Sequence, residues 1–439
     1  MGKYVLTQRE LPLNDKYDII VCGAGPAGCA CAIAAARSGA KTLLIEATGC
    51  LGGMSTLGMV PAWCPFSDKE KIIYRGIAEE IFTKSKEAMP HVDKKRLDWV
   101  EINPEAMKVI YDDMIREAGV DVLFNTFISD AESKDGKVTA LIVSNKAGLS
   151  AYSSKVYIDC TGDGDVAAFA GAQYVSGGEG GSLQAATHCF ELGGVDTEKY
   201  INGVNMHNGN PESPIFTILE SGEFEEINDP HMCQSLIKPG VVGFNAGHIW
   251  NVDPTKPETV TQALFTGRKM AHAYCKALQK YYPEAFANCF VGETAPLMGI
   301  RESRRILGDY VLTRDDYIAR RTFDDEIARN SYYLDIHMSA DEEKVTGHTD
   351  SKYEKGESHG IPYRCLTPKG FENLLVAGRC ISTDREVYGS TRVMPVCFVT
   401  GEAAGTAAAM CCKMENVNVH ELDVKLLRET LKNNGAYFL

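Results

Sequence analysis

At 439 residues the chain has room for two or three domains and a large buried core. Its net charge of −14, with no Lys/Arg block, makes nucleic acid and anionic membranes poor partners. No apolar run approaches the ~20 residues that span a bilayer. Residues 1–15 also lack a signal-type apolar core, so a cytoplasmic protein is expected. The fifteen cysteines show no C-x-x-C and no spacing for zinc or iron–sulfur ligation. They read as small apolar residues in a reducing compartment, and no metal site is expected.

In chain order, residues 17–45 predict strand–helix–strand. Asp18-Ile19-Ile20-Val21 runs into Cys22-Gly23-Ala24-Gly25-Pro26-Ala27-Gly28, then into an Ala-rich helix, and a second apolar run ends on Glu46. This order suits a dinucleotide. Gly23 permits the tight turn, Gly25 lets backbone approach a pyrophosphate, and Gly28 lets the helix sit close on the strand. The helix N-terminus faces the phosphate charge. Glu46 can accept hydrogen bonds from both ribose hydroxyls, which favours FAD or NAD over NADP.

Residues 49–66 form a Gly/Met/Pro-rich loop. Residues 72–88 have helical spacing, and 104–118 predict a helix with Asn103 as N-cap and Gly119 as its stop. Strands are expected at 120–128, 138–144 and 155–159, separated by turns at Gly136 and Gly148. Farther on, 260–280 reads as a helix with Leu264, Met270, Ala271 and Leu278 facing a core. Residues 374–379 read as a strand with a Gly turn, and 393–410 as a long small-residue helix.

Several separated motifs now agree. YDIIVCGAGPAGCACAIAAARSGAKTLLIE (17–46), GCLGGMSTLGMVPAW (49–63), YIDCTGDGDVAAFAGA (157–172), GIRESRRILGDYVLT (299–313), GIPYRCLTP (360–368) and NLLVAGRCISTDREVYGSTRVMPVCFVTGEAAGTAAA (373–409) resemble the FAD-dependent oxidoreductase family of the glutathione-reductase-like flavoproteins. The resemblance implies an α/β fold: a Rossmann-like FAD-binding domain of glutathione-reductase type with an inserted α+β substrate or cap domain. The parts would be 1–172, 173–360 and 361–439. It implies FAD contacts at Gly23, Gly25, Pro26, Ala27, Gly28, Glu46 and Ala47, in the loop Gly52, Gly53, Met54, Ser55 and Thr56, and at Ile128. It also implies that the Thr161-Gly162 turn packs beside the pyrophosphate and that Gly378 and Arg379 lie near the ribityl chain. The helix at Met394, Pro395 and Val396 would aim its N–H groups at the flavin O2/N1 edge. Ser55 and Val60 stand where disulfide reductases of this superfamily carry redox cysteines, so direct exchange between flavin and substrate is expected.

The chemistry candidates follow from side-chain type. Arg grips carboxylates bidentately and stays charged when buried. Arg301 and Arg304 are expected on one helical face, joined by Arg305, Arg364, Arg385 and Arg392. Dehydrogenating an alcohol or amine needs a base for the O–H or N–H proton, and the reverse reaction needs an acid at the same place. His337 with Asp335 in a strand, or Tyr363 with Arg364, can serve. The expected activity is hydride transfer between flavin N5 and a small polar, anionic organic substrate. Transient NAD(P)H or an electron-transfer protein is the other partner. The alternatives are a monooxygenase, a non-redox isomerase, dehydratase or lyase, and an electron-transfer subunit.

Overall fold

The computed structural model describes residues 4, 7–178, 181–337 and 352–439. Strand β1 (Ile19–Cys22), helix α1 (Pro26–Arg37) and strand β2 (Thr42–Ile45) form where expected, and both strands are wholly buried. The helix expected over 72–88 is confined to Ile77–Glu87, because Gly76 takes φ 71 and cannot continue it backwards. Helix α2 (Pro104–Ala118) starts on Asn103, whose side-chain oxygen accepts from the N–H groups of Glu105 and Ala106, and stops at Gly119 with φ 77.

The run expected as one strand over 120–128 breaks at Asn125, which has φ 49. Its first part is β3 (Asp121–Leu123). Its second opens β4 (Phe127–Lys134), which forms an antiparallel meander with β5 (Lys137–Asn145) and β6 (Gly148–Tyr152). β6 was not expected: Gly-Leu-Ser-Ala-Tyr has little apolar alternation, and pairing with β5 decides its state. The chain then returns to β7 (Val156–Asp159).

A second sheet follows, from β8 (Phe190–Gly193), β9 (Met232–Lys238) and β10 (Val241–Ala246). After helix α3 (Pro257–Tyr281), β11 (Phe290–Thr294) completes it in the order β9-β10-β8-β11. Met270, Ala271 and Leu278 of α3 are buried against this sheet, whereas Leu264 is only partly covered. Phe190 stacks on Phe244 at 5.0 Å and on Tyr274 at 5.6 Å.

The last segment supplies β12 (Leu374–Val376), helix α4 (Arg385–Thr391) and helix α5 (Met394–Cys411). The main sheet runs β12-β7-β1-β2-β3, parallel throughout. α5 lies directly on α1. A Cβ on Gly401 would stand 2.1 Å from the Ala27 carbonyl oxygen, and one on Gly405 2.1 Å from that of Cys31. Among the described residues, α5 alone is long and apolar enough to cross a membrane, and it is buried in the core. All fifteen cysteines are unpaired.

Candidate functional site

The ends of β1, β7 and β12 and the N-termini of α1 and α5 meet at one edge. Gly23 turns with φ 87, and a Cβ there would lie 2.7 Å from the Cys160 carbonyl oxygen. A Cβ on Gly28 would lie 1.8 Å from the Gly23 carbonyl oxygen. Gly25 differs: a Cβ would meet nothing within 4 Å. That open side fronts the start of α1, which begins at Pro26 and Ala27 with no side-chain cap. Its first-turn N–H groups are therefore left for an anion.

Glu46 follows β2. Its Oε2 accepts from the Ala24 N–H at 2.7 Å, and its Oε1 accepts from the N–H and hydroxyl of Thr48, both at 2.8 Å. These bonds hold the carboxylate beside Ala47 and use three of roughly four acceptor positions. The Thr48 hydroxyl can turn to the Cys50 carbonyl at 3.1 Å, which frees a second for a ribose. Thr126, two residues before Ile128, donates its N–H to the Glu46 carbonyl at 3.0 Å.

The loop at 52–56 lies against this edge. The Gly52 N–H donates to the Ala24 carbonyl at 2.8 Å, and a Cβ on Gly53 would be 2.9 Å from Gly25 Cα. Ser55 and Thr56 are buried and turn inward, to the carbonyls of Gly52 and Leu51, while Met54 stays partly exposed. The loop can therefore meet a ligand through backbone and Met54, not through those hydroxyls.

At the end of β7, Asp159 accepts from the N–H and hydroxyl of Thr161. Gly162 takes φ 81 under the Arg379 guanidinium. Arg379 is bound to Asp163 at 2.6 Å and to Ser303 at 3.1 Å, which leaves the approach to a ligand to the backbone at Gly378. Gly378 has φ 80, and a Cβ there would be 2.7 Å from that of Ala27. Beyond it α5 begins at Met394, Pro395 and Val396, again with no side-chain cap. Two uncapped helix ends and a pinned carboxylate fit a flavin adenine dinucleotide laid between them.

The arginines fall differently from expectation. Residues 299–306 form no helix. Arg304 and Arg305 lie in a short strand (Arg304–Ile306) paired with Tyr174–Ser176, so they share no helical face with Arg301. Arg304 binds Asp165 at 2.8 Å and Arg305 binds Glu302 at 2.7 Å. Arg301 is buried, with Nη1 donating to the Ala185 carbonyl and the Thr187 hydroxyl at 2.7 Å each. Its Nη2 lies 3.5 Å from Asn245 Oδ1. Arg392, between α4 and α5, donates Nη2 to Asp335 Oδ2 at 3.0 Å, and its buried Nε has no partner among the described residues. Burial and then the charge of Arg392 pull Arg301 down to about 10.

His337 lies outside any strand, not in the expected one. Its Nε2 is 3.3 Å from Asp335 Oδ1, and its Nδ1 is 2.8 Å from His248 Nε2. His248 Nδ1 in turn meets Asp229 Oδ1 at 3.0 Å. The paired ends of β9 and β10 bring His231 beside His248, with ring centroids 4.4 Å apart. Burial, then Arg301, hold His337 down to about 3 and His231 well below its ordinary value. Burial pushes Asp335 up, but His337, Arg392 and Arg301 outweigh it and keep the carboxylate ionised. Sequence reasoning singled out His337 but missed His231 and His248, since no local spacing links the three.

Tyr363 and Arg364 are not joined to this cluster. Tyr363 is buried with its hydroxyl on the Val419 carbonyl, and Arg364 pairs with Asp325 at 2.9 Å in an open cleft beside Tyr310 and Arg321.

The family model described as FAD dependent oxidoreductase matches residues 18–431. The chain belongs to this family. The oxidoreductase accordingly has an α/β fold with a Rossmann-like FAD-binding domain, and its cofactor is FAD. Over 34 residues it is 62% identical to the digeranylgeranylglycerophospholipid reductase of Methanocaldococcus jannaschii, a match to 8% of this chain and 9% of that protein. A geranylgeranyl bacteriochlorophyll reductase-like structure from Thermoplasma acidophilum is 11% identical, with a TM-score of 0.46 over 96% of this chain and 83% of that one. A p-nitrophenol 4-monooxygenase from Pseudomonas putida is also 11% identical, with a TM-score of 0.45 over 96% and 88%.

Proposed function

We propose that the oxidoreductase passes a hydride between FAD and a small, polar, anionic organic substrate. The observation that carries this reading is Arg301 and Arg392 together: Arg301 is buried, Arg392 is half-buried, each feels the other's charge, and the buried Nε of Arg392 has no partner among the described residues. An anion between them satisfies both. Arg392 lies two residues before the first residue of α5, so an anion held there lies near the helix end assigned to the flavin.

Bound FAD supplies a hydride acceptor or donor at N5. Arg301 and Arg392 fix the anionic end and so orient the C–H bond to be broken. The imidazole–carboxylate cluster at His337 and Asp335 takes the alcohol or amine proton, and returns it in the reverse direction. The uncapped start of α5 favours negative charge at the flavin edge. We assign the flavin domain to the glutathione-reductase type, a reading supported by the parallel sheet with its β4–β6 meander. Residues 1–172 and 361–439 would form it and 173–360 the substrate domain. Unpaired cysteines support a cytoplasmic setting.

Anaerobic titration of the FAD-loaded protein with a panel of hydroxy and amino acids, followed at about 450 nm, tests the proposal. An anion should bleach the flavin, and its uncharged amide should not. NAD(P)H-dependent oxygen uptake with a hydroxylated product, and no anaerobic bleaching, would overturn it.

A further inference from the structure

The contact between His248 and His337 is chemically incomplete. Asp229 is an acceptor, so His248 Nδ1 carries the hydrogen and, in the neutral ring, Nε2 is bare. Asp335 does the same for His337: Nε2 carries the hydrogen and Nδ1 is bare. Two bare nitrogens then face each other at 2.8 Å. Such a pair needs a cation between its lone pairs. A third imidazole, His231, has its buried Nδ1 without a partner among the described residues, and one nitrogen from each of the three rings lies within 4.8 Å of the others.

We propose that His231, His248 and His337 form a binding site for a divalent transition-metal ion, with Asp229 and Asp335 as the carboxylates that orient two of its ligands. Three imidazoles leave a fourth position open, the arrangement of catalytic rather than structural sites. With metal–nitrogen bonds of about 2.1 Å and tetrahedral angles, ring centroids stand about 5.2 Å apart. The observed centroid separations are 4.4, 5.0 and 5.2 Å. Ligation requires the facing nitrogens of His248 and His337 to part by about 0.6 Å, since tetrahedral ligand nitrogens lie about 3.4 Å apart, and the stacked rings of His231 and His248 to part by about 0.8 Å. The outer nitrogens bound to Asp229 and Asp335 are the ones that orienting carboxylates take in histidine metal sites. The neighbouring charges balance, with Arg301 and Arg392 against Asp229 and Asp335, so an ion here would draw an anionic ligand into the open position.

The site deepens the substrate pocket proposed above and rests on that reading only for its catalytic use. An ion would acidify a substrate oxygen bound to it, so that the proton would leave to solvent on binding and would not need His337 to take it. Metal binding itself is independent of any substrate.

The test is metal content of the FAD-loaded protein as purified, followed by chelation and titration with Co²⁺ read by its visible d–d bands. One ion per chain is expected, with competition by Zn²⁺. Asp229→Asn should weaken Co²⁺ binding by about 10- to 100-fold at unchanged FAD content, and His248→Ala should abolish the bands. Failure of the wild-type holoprotein to take up stoichiometric Co²⁺ overturns the site. A strongly downfield shared N–H–N proton resonance in protein that takes up no ion would show that a proton fills the gap, and also overturns it. Flavin bleaching by anions without metal uptake would leave the proposed function standing and remove only this site.

Discussion

Gly25→Ala separates ligand binding from folding more cleanly than any other change in the cofactor edge. A Cβ there meets no protein atom within 4 Å, and its φ is −68, so the backbone admits alanine without strain. Alanine is a poorer helix N-cap than glycine, but the difference is only about 0.5–1 kcal/mol. The FAD-free protein should therefore melt within about 1–2 °C of wild type. The open side of Gly25 is, however, where a pyrophosphate must come to reach the first-turn N–H groups of α1. A charge-assisted hydrogen bond contributes about 1.5–3 kcal/mol, so denying a phosphate even one such contact raises the FAD dissociation constant roughly 10- to 150-fold. Quenching of FAD fluorescence during titration of stripped protein measures that constant, and a thermal melt of the same sample measures the fold. Unchanged FAD affinity would refute the placement of the pyrophosphate. A fall of many degrees in the FAD-free melt would refute the claim that the space is empty for the cofactor's sake.

Gly401→Ala should behave oppositely. Its Cβ must fit 2.1 Å from the Ala27 carbonyl oxygen, so α1 and α5 are pushed apart and both helix ends move. A loss of about 1–3 kcal/mol in stability is expected, together with weaker FAD retention, read by melting and by bound-flavin absorbance. Glu402 carries a pH signature. Burial raises its carboxyl from the ordinary 4.5 to about 7, so the folded state binds the proton more tightly than the unfolded chain does. Its contribution is fully present below pH 4.5 and is lost as pH rises through 7, by about 3 kcal/mol at most. Glu402→Gln stays neutral and can still accept from the Ile77 N–H, so denaturant melts at pH 5 and pH 8 should show a flatter profile and a gain over wild type at pH 8. A variant that tracks wild type across that window contradicts the buried-acid account.

The cofactor edge was legible because its signals are local. Gly23, Gly25, Gly28 and Glu46 lie within one strand–helix–strand unit, and Asn103 and Gly119 bracket α2 by capping chemistry that needs no distant partner. The substrate side was not. Arg301 and Arg304 have helical spacing, but pairing of Arg304–Ile306 with Tyr174–Ser176 imposes extended chain, a decision made by residues far away in sequence. The histidine cluster joins the two ends of the β9–β10 hairpin to the irregular segment at His337, and three single histidines with no common spacing carry no motif. Tyr363 and Arg364 looked chemical because they adjoin a family motif. Burial against Val419 and pairing with Asp325 assign them to packing and to the surface.

The central claim is that Arg301 and Arg392 hold an anion from which, or to which, FAD moves a hydride. Its most direct measurement is anaerobic stopped-flow reduction of the flavin by a bleaching acid and by its uncharged amide, in wild type and in Arg392→Gln. Wild type should favour the acid by roughly 10- to 150-fold in apparent affinity, the range of one charge-assisted contact. Arg392→Gln should lose most of that preference while retaining FAD. Equal preference in the two proteins, or reduction by the amide as readily as by the acid, would contradict the account.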